Sequence, residues 1–128
     1  MADDTLTFTL PLPDRSFSPN GRSHWAVKHK KKNAIWAMAD LLVKGKINPK
    51  PPKQPWEKAT ITASCVVGAI NDHDNLLGRL KVVVDWLTTR GYIVDDKPRH
   101  LQWTGMPEQR VSRKNAAEVR ITLTRVDK

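Results

Sequence analysis

The chain has 128 residues, 39% of them hydrophobic and 27% charged, and its 22 Lys and Arg against 13 Asp and Glu give a formal charge of +9. This length suits one domain able to bury a core, and no apolar run approaches the roughly 20 residues of a membrane span. The lone Cys65 excludes an intrachain disulfide and a multi-cysteine zinc site.

The start Met1-Ala2-Asp3-Asp4 has no basic-then-apolar secretory pattern, so a reducing cytoplasm is the expected compartment. Thr5–Leu10 alternates threonines with Leu6, Phe8 and Leu10, the period of a half-buried strand, and Pro11 and Pro13 end it. Asp14–Ser23 contains Pro19, Asn20 and Gly21 and reads as a loop. From about His24 to Lys44, Ile35, Met38 and Leu42, with Ala34 and Leu41 beside them, predict a helix stopped by Gly45. The cluster Lys28-His29-Lys30-Lys31-Lys32 then falls in the first turns, where the helix dipole disfavours cations. A basic run placed against that preference points to a polyanionic partner.

Lys46–Trp56 carries Pro49, Pro51, Pro52 and Pro55 and reads as a connecting loop. In Lys58–Val67, Ala59, Ile61, Ala63, Cys65 and Val67 share one strand face opposite Thr60, Thr62 and Ser64. A second helix, about Asn75–Arg90, has Leu76, Leu80, Val83 and Leu87 as its buried stripe. Asp72 or Asp74 caps its start, and Gly91 stands just past its end. Short strands are expected at Tyr92–Val94 and Leu101–Thr104, and a longer one at Glu118–Val126. The fold class read from these elements is α+β, a single two-layer domain with two main helices packed on a mixed β-sheet.

The scarce acids are clustered. Asp72 and Asp74 stand in Asn71-Asp72-His73-Asp74-Asn75-Leu76, and Asp95 and Asp96 close Gly91-Tyr92-Ile93-Val94-Asp95-Asp96, one helix-length apart. Packed carboxylates repel unless a cation lies between them. Hard cations such as Mg²⁺ take such oxygen ligands together with phosphate. Asp74 alone reads as a cap and Asp95-Asp96 alone as a turn. Together, in so basic a chain, they predict a metal-dependent enzyme acting on a polyanion. His73 is expected to face away from the cation, and Cys65 to be a core residue.

These residues resemble the RusA-type Holliday-junction resolvases of phages and prophages, whose signature is D-x-D-N-L, a helix, then G-x-x-x-D-D. Leu10-Pro11-Leu12-Pro13, Ser18-Pro19-Asn20 and His24-Trp25 are similar to the family's proline-rich opening, so the resemblance covers nearly the whole chain. It implies a homodimeric endonuclease of a bacterial host or prophage, dependent on Mg²⁺ or alternatively Mn²⁺, that resolves four-way DNA junctions by paired symmetric nicks. Asp72, Asp74 and Asp96 match the catalytic acids, and Asp95 the neighbouring acid, so that all four are the expected metal ligands. The family's lysine position holds Gly78 here, and Arg79 or Lys81 is expected to supply the missing cation.

Expected DNA contacts are Arg22, His24, Lys28, Lys30, Lys31 and Lys32, with Asn75 and Arg79 at the motif. Trp36 and Trp86 are expected in the core or a dimer contact, and Trp25 and Trp56 near loops where a ring can stack on an unpaired base. Two other readings stand beside the resolvase: a non-catalytic protein binding branched DNA, favoured by Gly78, and a metal-dependent nuclease for RNA or flaps.

Overall fold

The computed structural model describes residues 4–14, 17, 25–114 and 117–126. Arg22, His24 and the Ser18-Pro19-Asn20 element lie outside the described residues. The elements run β1 (Thr5–Pro11), α1 (Trp25–Lys44), β2 (Ala59–Val67), α2 (His73–Thr89), β3 (Leu101–Trp103), β4 (Glu108–Val111) and β5 (Glu118–Arg125). This is an α+β fold with a mixed five-strand sheet and two helices.

The sheet order is β1-β5-β2-β3, with β4 also pairing β2. β5 lies between β1 and β2 and is antiparallel to both. β3 and β4 run parallel to β2 on successive stretches, Ala59–Ile61 and Ser64–Val67, so they act as one interrupted edge strand. The parallel pairing of β2 with β3 requires a crossover, and α2 supplies it.

Alternation decides the layers. Ile61, Ala63 and Cys65 of β2, Leu123, Ile121 and Val119 of β5, and Leu6, Phe8 and Leu10 of β1 are register partners on one face. That face enters a single core cluster with Leu76, Leu80, Val83, Trp86 and Leu87 of α2. The opposite face carries rows of small polar residues, Thr5–Thr124–Thr60 and Thr7–Thr122–Thr62. Phe8, Trp86 and Tyr92 stack in the core with centroids 5.0–6.1 Å apart, the preferred range for aromatic pairs. Burial pushes the Tyr92 hydroxyl up to about 12, and the Asp40 charge adds to this. The hydroxyl donates to the Pro49 carbonyl at 2.7 Å. Burial likewise pushes the Cys65 thiol up to about 11, which suits an inert core residue.

Three elements differ from the sequence expectation. Tyr92–Val94 is no strand; Ile93 makes only an isolated parallel bridge to Trp56. β4 was not anticipated. In α1 the buried residue is Ala39, flanked by the partly buried Trp36, Leu42 and Val43, while Met38 and Leu41 are exposed. Polar links help fasten α1 to α2: Asp40 accepts two bonds from Arg90 and one from the Trp86 indole, all at 2.9 Å. The Trp36 indole donates to the Val82 carbonyl at 3.1 Å. The Arg90 guanidinium holds the Asp40 carboxyl below the usual carboxylate range. Asn48, 3% exposed, grips the outer side of β1: its amide donates to the Thr9 carbonyl at 3.0 Å and accepts from the Thr9 N–H at 2.9 Å. Among the described residues no helix is long and apolar enough to cross a membrane.

Candidate active site along helix α2

α2 begins where Asp72 leaves extended backbone (φ −71°, ψ 162°) and accepts from the Asn75 N–H, 2.9 Å away. The Asn75 side chain donates to the other Asp72 oxygen at 3.1 Å. Of the two capping candidates it is therefore Asp72 that caps. Asn75, an expected DNA contact whose place in the motif also suggests positioning a ligand or capping the helix, steadies Asp72. His73 and Asp74 are exposed in the first turn, where a carboxylate also favours the helix dipole.

The loop before α2 is pinned from behind. Asn71 N–H donates to the Gln109 side-chain oxygen and the Gln109 amide donates to the Asn71 carbonyl, both at 2.9 Å. Arg79 completes this lock: its Nε donates to the Pro13 carbonyl at 2.7 Å and Nη1 to the Asn71 side chain at 2.9 Å. With only 7% of its surface exposed, Arg79 faces inward. This departs from its expected role as a phosphate contact or replacement cation, because turning the guanidinium outward would leave the buried Pro13 carbonyl and the half-buried Asn71 side chain without this donor.

Lys81 is placed otherwise. Its ammonium lies 3.0 Å from Asp96 Oδ2 and 3.4 Å from Asp85 Oδ1, on an exposed surface. The hydrogen bond to Asp96 raises the Lys81 pKa above the ordinary lysine range, and the same bond lowers the Asp96 carboxyl below its own. Lys81 is therefore a fixed cation and not a proton acceptor at neutral pH. Asp95 Oδ1 accepts the Asp96 N–H at 2.7 Å, and Asp95 lies 4.0 Å from Lys97. Beside this pair a pocket of about 180 Å³ is lined by Leu77, Lys81, Val84, Asp96, Leu101 and Trp103.

The ion pair brings Asp96 onto the helix that Asp72 heads. Asp74 and Lys81 are seven residues apart, nearly two full turns, so they share a face and are separated by about 10 Å along the axis. Gly78 lies between them on that face. Among the described residues, no three His, Cys, Asp or Glu side chains gather closely enough to hold a metal ion. Of the four expected ligands, Asp72 and Asp74 stand at the start of α2, and Asp96, next to Asp95, meets the helix at Lys81. The donor chemistry still fits Mg²⁺, which takes one or two carboxylates and completes its shell with water and phosphate.

The basic cluster occupies the start of α1, which has no acid in its first turn. Lys30 is exposed; Lys31 pairs with Asp14 at 3.5 Å, and Lys32 lies over the Trp36 ring at 4.4 Å. Lys28 is half-buried. Trp25 is 74% exposed, whereas Trp56, at 4%, is a core residue and offers no face to a base. Sequence reasoning missed the roles of Asn71 and Gln109: Asn71 had only its adjacency to the D-x-D motif as a signal, and Gln109, 38 residues further on, had none. No protein-family model and no curated protein matches the chain.

Proposed function

We propose that the chain is a RusA-type endonuclease that nicks branched DNA as a homodimer with Mg²⁺. The observation that carries this reading is the Lys81–Asp96 ion pair, which joins the second acidic pair to the helix headed by the first. Asp72 and Asp74 would hold the cation, and when bound it would neutralise charge on the scissile phosphate and activate water. Asn75 keeps Asp72 oriented. Lys81 presents a positive charge beside Asp85 and Asp96, where it would meet a phosphate approaching the acids. The Asn71–Gln109–Arg79 lock keeps the start of α2 fixed during this approach.

Two symmetric nicks need two sites, which a two-fold dimer supplies. The net charge of +9 supports a polyanionic substrate.

The test is incubation of the purified chain with a synthetic four-way junction and with linear duplex, in Mg²⁺ and in EDTA. Paired, Mg²⁺-dependent nicks confined to the junction are expected. Asp72→Asn should lower the rate at least about a hundredfold while junction affinity holds or rises, since a negative charge facing phosphate is lost. Loss of affinity instead would mark the acids as structural.

Gly78 and the commitment of Lys81 to two carboxylates favour a second reading, a protein that binds branched DNA without cutting it. Junction binding without nicks, restored to cutting by Gly78→Lys, would decide for it.

A further inference from the structure

We propose that a second, basic pocket on the far side of β3 binds a phosphodiester group of a polynucleotide strand. The pocket has a volume of about 370 Å³, and Lys58, Thr60, Arg99, His100 and Gln102 supply its polar walls. Among the described residues that line it, none is acidic. Neither Lys58 nor Arg99 takes part in an ion pair among the described residues. The Glu57 carboxylate approaches His100, its Oε2 3.9 Å from Nδ1, and among the described residues makes no ion pair with either cation. Two like charges lining one concavity repel each other, and an anion between them removes that cost.

The walls are fixed. The His100 N–H donates to the Lys97 carbonyl at 2.8 Å, and the His100 carbonyl accepts from Ala59 at 2.9 Å. His100 Nδ1 lies 2.8 Å from the Glu57 carbonyl. A carbonyl only accepts, so Nδ1 carries the proton and Nε2 remains as the ring's second polar atom. Thr60 and Gln102 are register partners on neighbouring strands, offering a hydroxyl and an amide side by side. Phosphate recognition uses this mixture of cations and neutral donors. The volume lies within the range of small-ligand sites and exceeds what one isolated ion needs.

Position favours a strand over a free ion. Leu101 and Trp103 line the pocket beside Lys81 and Asp96, whereas Gln102, between them, lines the basic pocket. Successive strand residues face opposite sides, so β3 divides the two sites. Asp96 and Arg99 are three residues apart, at most roughly 11 Å. A strand wrapped over this edge would meet the acidic face and the basic pocket in succession. The inference rests on the nucleic-acid half of the proposed function, not on cutting.

The test uses the full chain and single-stranded dT10. Backbone amide shifts should move at Lys58, Arg99, His100 and Gln102, at dT10 concentrations where inorganic phosphate moves none of them. In anisotropy titrations, Lys58→Gln/Arg99→Gln should weaken dT10 binding about tenfold and flatten the dependence of log affinity on log salt by about 1.4. Lys50→Gln/Lys53→Gln, two exposed lysines outside the pocket, should leave that slope unchanged. Circular dichroism should show the wild-type fold in both variants. Equal slopes for the two double variants, or equal shifts with inorganic phosphate, would overturn the proposal. If junctions stay uncut while dT10 binds here, the endonuclease reading fails and the pocket stands; if junctions are cut and the slope is unmoved, the pocket fails alone.

Discussion

The two helices make opposite use of similar length. α2 buries eight of its 17 residues, Arg79 among them, while α1 buries only Ala39 of its 20. α2 lies on the sheet as the crossover between parallel strands. α1 leans on it through a small residue, an aromatic edge and the Asp40–Arg90 clamp. Stability should therefore reside in α2, and α1 should act as a loosely held basic arm. Helices with few buried apolar contacts open at lower free energy than those in the core.

The sharpest challenge to this contrast is a pair of truncations. Leu80→Ala should cost about 2–5 kcal/mol, because Leu80 is fully buried and leaves a cavity. Leu41→Ala, at a position 60% exposed, should stay within about 0.5 kcal/mol. Urea unfolding checks both, and comparable losses would break the comparison. Next in size is Arg79→Met, which leaves the Pro13 carbonyl and Asn71 without their donor and should cost about 1–3 kcal/mol. Its dT10 affinity should not change, whereas a phosphate-contacting Arg79 would lose affinity and keep stability.

Smaller still is Asp40→Asn, which loosens the clamp by about 0.5–1 kcal/mol, as expected for a partly exposed pair. Its pH dependence has a definite sign. The Asp40 carboxyl is depressed in the folded chain, first by its hydrogen bond from Arg90. The contribution is therefore present above the unfolded carboxyl range near pH 4 and is lost as pH falls. Unfolding curves of wild type and Asp40→Asn should converge below about pH 4 and stay apart at pH 7.

Much of this architecture was legible in the residues. The stripe Leu76, Leu80, Val83 and Leu87 and the alternation of β2 are periodic signals that tertiary packing had no reason to override. β4 was illegible because an edge strand of four residues, Glu108–Val111, buries too little to alternate. Met38 and Leu41 misled because hydrophobicity names a candidate face, while close helix approach selects a small residue, Ala39. Arg79 misled because its partners Pro13 and Asn71 are supplied by distant chain segments. Both acidic motifs were visible, but not the two helical turns between them, which depend on where the 95–100 loop lands against α2.

Asn48 gives the sheet a property beyond local stability. β1 is an outer strand, and a bare outer strand is a template for a second chain. One side-chain amide here occupies both hydrogen-bonding groups of Thr9, and Pro11, two residues on, has no N–H to offer. At Thr9 and Pro11 the margin is thus closed to a newcomer by a single amide and a ring. Without Asn48, both hydrogen-bonding groups of Thr9 would stand open on this margin, and pairing of the strand with one from another molecule would become a hazard in concentrated solution.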